Sequence, residues 1–304
     1  MLGNRLGGVS MKLKKVSYEK QRTLFGYVFT APFVLGTLVF FGYPVIFSLL
    51  LALSSFKGNT SIENMSFVGL ANFKALFGED INFMPDFLNA ITDALVNTPL
   101  VVLISIILVI CLNKNIRFKG TFRVIFFLPF VLGNGLIYQT LMYSGITSDT
   151  MKMLNGISVP PQFADYFGEV LTGVISTLLE RFTTIFWKSG LPILLFLSAI
   201  QSIPVSVYES ARCDGASEWK SFWFITLPML TPTVVVVIVY TLVDSFNDIN
   251  NPVMKYYQYL AFKTYQHSYA SAMAWMYFLF VIVLIGAVIA STRKFVFYNA
   301  ERRS

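Results

Sequence analysis

The sequence is poor in charge and in reactive side chains. Charged residues are 13% of its 304 residues, about half the ~25% typical of soluble domains. It has one histidine, His267, and two cysteines, Cys111 and Cys213. That stock builds neither a disulfide framework nor a cysteine–histidine metal site, so the thiols read as ordinary reduced groups and His267 as a solvated loop residue. No Gly-x-x-x-x-Gly-Lys-[Ser/Thr] run is present to cradle phosphates, and no His-Glu-x-x-His to hold zinc. No catalytic constellation is visible. If ATP drives this protein, the ATPase site with its ATP and magnesium belongs to another chain, and this chain is expected to carry no cofactor. Internal repeats and low-complexity tracts are also missing.

Apolar side chains are abundant: 55% of the residues are hydrophobic and the mean hydropathy is +0.65. An all-α polytopic membrane protein with six transmembrane helices is the expectation. The spans fall at about 24–53, 94–112, 122–142, a fourth ending near Ala199, 232–247 and 270–291. The basic head, with Arg5, Lys12, Lys14, Lys15, Lys20 and Arg22 against Glu19, precedes a run too long for a signal-peptide core of about 7–15 residues. It reads as a retained first helix, kinked or displaced near Pro44. The fourth span is interrupted by Glu180, Arg181 and Lys188. Either it starts near Phe182, or a longer helix turns those charges toward the bundle interior.

Lysine and arginine set the orientation. Segments 1–23, 113–123, 204–228 and 293–304 hold 16 of the 23 basic residues, and 54–93, 143–169 and 248–269 hold 5. Both termini are therefore expected in the cytoplasm: 1–23 as a cytoplasmic segment, 24–292 as the six-helix domain, 293–304 as a cytoplasmic tail. The net charge of +7 is an orientation signal; the basic residues are scattered, and no nucleic acid is expected as a partner.

Between the fourth and fifth spans lies a charged stretch, Glu209 to Pro228. A charge at mid-bilayer costs at least ~2.5 kcal/mol, so the stretch lies outside the hydrocarbon. Glu209, Ala211 and Arg212 favour helix, Gly215 permits a break, and Trp219, Phe222 and Trp223 resume helical spacing. A short helix, a glycine turn and a second short helix make a knob at the membrane surface, with the aromatic residues suited to a docking face or the membrane interface.

The spacing Glu209-Ser210-Ala211, three residues, Gly215, nine residues, Ile225, one residue, Leu227-Pro228 resembles the EAA loop of bacterial ABC-importer permeases. Ser210 stands where alanine is usual. Gln201-Ser202-Ile203-Pro204 and Asp214-Gly215-Ala216 look like the carbohydrate branch, and Phe127-Leu128-Pro129 and Trp187-Lys188-Ser189-Gly190 look like the family. Phe67-Val68-Gly69-Leu70-Ala71-Asn72-Phe73 resembles a motif of the MalF-like half of sugar-importer heterodimers. The resemblance implies a type I ABC-importer permease fold in a prokaryotic cell membrane. It implies as partners a second permease subunit, an ABC ATPase dimer docked on Glu209, Ser210, Ala211, Asp214, Gly215, Ile225, Leu227 and Pro228, an extracytoplasmic solute-binding protein, and membrane lipid. The alternative is a non-transporting membrane scaffold or sensor whose loop binds a cytosolic partner.

Polar residues inside spans are candidates for a sugar pathway. Tyr240, Asp244, Asn247 and Asn251 are spaced to share one helical stripe. Intramembrane ionisable groups usually face a bundle interior or a watery cavity; the competing reading is an interhelical packing stripe. Asn134 and Tyr138 form a shorter pair with the same two readings. Trp187 and Lys188 stand at a position of the family resemblance, and Lys188 can equally snorkel or pair with Asp244.

Overall fold

The computed structural model describes residues 18–56, 65–113, 120–121, 124–125, 128, 162–248 and 250–293. The third expected span, with Asn134 and Tyr138, lies almost wholly outside the described residues. Four helical stretches among them are long and apolar enough to cross a membrane, or five when one bent pair counts as a single span.

The first stretch is α1 (Tyr18–Thr37), a π-helical turn at Leu38–Gly42, and α2 (Tyr43–Ala52). The disturbance expected near Pro44 takes this form: proline has no N–H to continue the ladder, and the preceding turn widens. Two-residue strands β1 (Ser54–Ser55) and β2 (Ser66–Phe67) then pair antiparallel. The Gly69 motif follows them. Gly69 takes a left-handed φ of 60°, which glycine adopts without a steric cost, and α3 (Ala71–Gly78) begins. Asn72 on α3 donates to the Ala52 and Ser54 carbonyls at 2.8 and 2.9 Å, supplying partners where α2 runs out of its own.

α4 (Phe83–Asn113) is 31 residues long and starts well before the expected residue 94. The reason is a cap: Asp80 Oδ1 accepts from the Asn82 and Phe83 N–H groups at 2.9 and 3.0 Å, so the polar turns of 83–93 are already helix.

The fourth span is a broken pair. After the short α5 (Gln162–Phe167), α6 (Glu169–Lys188) and α7 (Gly190–Gln201) meet at Ser189 with a 49° bend. Pro192 has no N–H for the Lys188 carbonyl and its ring crowds that carbonyl. Of the two alternatives, the longer charged helix forms, but of its three charges Lys188 alone is turned inward; Glu180 and Arg181 are exposed. α8 (Val205–Cys213) and α9 (Glu218–Ser221) make the knob. α9 is not the free second short helix that was expected. It runs through a π-helical turn, Phe222–Thr226, straight into α10 (Leu227–Phe246): no glycine breaks the run, and Pro228, which has no N–H for the ladder, widens the turn before it as Pro44 does. α11 (Pro252–Phe262) and α12 (His267–Thr292) complete the chain.

Two apolar cores result. One gathers Leu76, Phe83, Ala94, Phe246, Leu260 and Met273 from α3, α4, α10, α11 and α12. The other gathers Val109, Phe196, Ile200, Leu230 and Val237 from α4, α7 and α10, nearer the knob.

Candidate functional site

The knob is built on one helix end. α8 stops in a left-handed turn: Ala216 N–H donates to the Ala211 carbonyl at 2.9 Å, Gly215 N–H to the Arg212 carbonyl at 3.0 Å, and Gly215 has φ 76°. This is a Schellman arrangement, which needs a residue tolerant of that φ at its turn. The Ser217 hydroxyl accepts from Lys220 N–H and caps α9. Tyr208, on the face of α8 turned inward, shares a 2.9 Å hydrogen bond with Thr226. That bond ties α8 to the π-helical turn, and so to α10.

The rest of the knob points outward. Glu209, Ser210, Asp214 and Gly215 are exposed, and Ala211, Ile225, Leu227 and Pro228 are half-buried. Trp219 is 69% exposed and Phe224 79%. Trp219, Phe222 and Trp223 pack ring on ring, with centroids 5.3–6.3 Å apart. Rigid aromatic area beside an exposed carboxylate is the composition of a binding surface.

The second site is the break between α6 and α7. Lys188 ends α6, and its side chain is 11% exposed. Its Nζ lies 2.8 Å from Asp248 Oδ2, 3.3 Å from Ser245 Oγ and 3.8 Å from Asp244 Oδ2. The tight partner is therefore Asp248, which the sequence reading passed over, and Asp244 is the loose one. Asp248 Oδ1 also accepts from Asn250 N–H at 2.9 Å. Tyr240 is half-buried one turn below Asp244, Trp187 half-buried beside Lys188, and Asn247 exposed.

The expected stripe does not reach Asn251. α10 ends at Phe246, so helical spacing stops applying there. Asn251 instead caps α11: its Oδ1 accepts from Val253 and Met254 N–H, and its Nδ2 donates to the Ser245 carbonyl and the Tyr277 hydroxyl. It is buried, with every polar atom of its side chain engaged.

The sequence reading also missed Asp80. Besides capping α4 it accepts from Tyr256 and Tyr269 hydroxyls at 2.9 and 2.6 Å, pinning α11 and α12 to the start of α4. Burial raises its carboxyl pKa, but the hydrogen bonds from Tyr269, Phe83, Tyr256 and Asn82 outweigh that and leave it below the ordinary value. The same burial and the bond to Asp80 push the Tyr256 hydroxyl up.

Residues 82–296 match the family described as binding-protein-dependent transport system inner membrane component. The chain belongs to this family. It is the permease subunit of an ABC importer, a multi-pass cell-membrane protein and a transport component rather than an enzyme. Among its relatives is the arabinooligosaccharides transport system permease protein AraP of Bacillus subtilis, 34% identical over 72% of this chain and 68% of that one. Another is the multiple sugar-binding transport system permease protein MsmF of Streptococcus mutans, 29% identical over 89% and 96%. In structure, the permease resembles a chain of a bacterial alginate ABC transporter solved with an alginate pentasaccharide-bound periplasmic protein. The TM-score is 0.62, with 18% identity over 91% of this chain and 97% of that one, which supports the shared fold.

Proposed function

We propose that this permease forms half of a translocation pathway for a sugar or oligosaccharide, with a second permease subunit as the other half. Six spans, with 122–142 as the third, place both termini, 1–23 and 293–304, in the cytoplasm. An extracytoplasmic solute-binding protein delivers the sugar, and an ABC ATPase dimer carrying ATP and magnesium drives the cycle. The sugar-importing relatives and the excess of basic residues on one side support this reading. So does the apolar face of the first helical stretch, 18–52, where Phe29, Phe33 and Phe40 are exposed among the described residues, as suits contact with lipid or another subunit.

The observation that carries the reading is the exposed knob held to α10. The continuous stretch Glu218–Phe246 has 29 residues, about 43 Å at 1.5 Å per residue. A cleft that closes on the knob moves α10 as one rod, and the far end of that rod carries Asp244. The pathway residues in this reading are Tyr240, Asp244, Asn247, Trp187 and Lys188, with Asn134 and Tyr138 from the third span. The helix break is compatible with it, because irregular backbone at membrane depth is tolerated where it is buried in protein, as Ser189 is, or lines a cavity.

Glu209→Lys tests the docking. The variant is expected to reach the membrane at normal abundance, lose co-purification with the cognate ATPase, and lose uptake. Full retention of ATPase and uptake would sink the assignment. Orientation is tested separately with an impermeant thiol reagent on intact cells lacking Cys111 and Cys213. Ser158→Cys should be labelled from outside and Lys220→Cys should not; labelling of the latter overturns the topology.

A further inference from the structure

We infer that the pathway favours uncharged or amino-bearing sugars and disfavours anionic ones such as uronates and sugar phosphates, with Asp244 as the deciding residue. This rests on the reading that Asp244 and Asn247 line the pathway.

Local charge balance around Lys188 decides the selection. Lys188 is largely buried, and its ammonium is taken by Asp248 at 2.8 Å. Asp248 is held in that position by Asn250 N–H on its other oxygen. One cation and one anion thus form a neutral, fixed pair. Asp244 approaches the same ammonium only to 3.8 Å, and its side chain is 36% exposed. Two carboxylates face one cation, and Asp244 is the more exposed of the two.

Among the described residues no second cation is paired with Asp244. Residues 124–142, 190–201 and 268–291 contain no Lys or Arg. On α6, Arg181 is paired with Asp93 at 3.5 Å. An uncompensated carboxylate at membrane depth persists only where water or a ligand solvates it. Such a group accepts hydrogen bonds from sugar hydroxyls, and more strongly from an ammonium, and it repels a carboxylate or phosphate.

The test reads the local potential without knowing the sugar. The assembled transporter carries Cys111→Ser, Cys213→Ser and Asn247→Cys in right-side-out vesicles. The modification rate at position 247 is measured with a trimethylammonium-bearing and a sulfonate-bearing methanethiosulfonate. The ratio of the two rates is normalised to that of a small free thiol. One nearby unit charge at intermediate dielectric is expected to favour the cationic reagent by roughly three- to tenfold. Asp244→Asn should bring the ratio close to that of the free thiol, and Asp244→Glu should preserve it. Modification by both reagents with no cation preference, or a preference unmoved by Asp244→Asn, overturns the charge selection and leaves the pathway reading standing. No modification by either reagent overturns the pathway reading itself.

Discussion

The two ends of this permease are held in opposite ways. At the end bearing α11, polar side chains are spent on the chain itself. Asp80 accepts four hydrogen bonds, Asn72 closes the end of α2, and Asn251 joins α10, α11 and α12. At the knob, Tyr208–Thr226 is the tie between α8 and the stretch leading to α10, while Glu209, Asp214, Trp219 and Phe224 face outward. Those bonds hold the α11 end together, whatever its exposed Tyr259, Phe262 and Tyr265 receive from outside. The knob instead leaves aromatic area and a carboxylate exposed on a stiffly mounted turn, a shape suited to a docking partner. Substitutions at the first end should therefore cost stability, and those at the knob should cost coupling.

The largest effect is expected between the two ends, at the helix break. Lys188→Met leaves Asp248 without its cation, and breaking a buried pair from one side costs about 3–5 kcal/mol. Membrane abundance and thermal stability should fall sharply, and adding Asp248→Asn should restore most of the loss. Rescue by Asp244→Asn instead would make Asp244 the true partner and reverse the assignment drawn from the 2.8 and 3.8 Å contacts. Next comes Asn251→Ala, which removes a helix cap and leaves buried groups unpaired, for about 2–3 kcal/mol. Its cost should appear in thermal stability with ATPase binding intact.

Asp80→Asn should be milder, about 1–2 kcal/mol near neutral pH. Its pH dependence is the sharper readout. The folded carboxyl is held below its ordinary value, so its contribution is complete above the unfolded pKa near 3.9. That contribution is lost as pH falls through the lower folded value. The stability gap between wild type and Asp80→Asn should therefore close in acid; a gap constant down to pH 3 would deny the carboxylate its role. The smallest effect is Gly215→Ala. Space around that glycine is open, but φ is 76°, so about 1 kcal/mol of local strain is expected. Stability should fall by no more than that while ATPase co-purification weakens.

How far the sequence shows all this depends on whether a residue acts through spacing or through a distant partner. The knob is legible because its parts are local: Gly215 ends α8, and the aromatic residues follow at helical intervals. The membrane class is legible from composition. The Gly69 motif is recognisable, but the work of Asn72 is not, since its acceptors lie about 20 residues back across a hairpin. Asp248 shares helical spacing with Asp244 as well as Asn247 does, so spacing does not single it out; its partner Lys188, on another helix, does. Asp80 was lost among polar loop residues, because two of its donors, Tyr256 and Tyr269, are 176 and 189 residues away.

The central claim is that the knob, and not the opposite end, receives the ATPase. Amide hydrogen exchange of the permease pair, with and without its cognate ATPase, tests this directly. The account predicts added protection concentrated in Val205–Thr226, with Asp80, α11 and the start of α12 unchanged. Unaltered exchange across the knob, or equal protection at both ends, would contradict it.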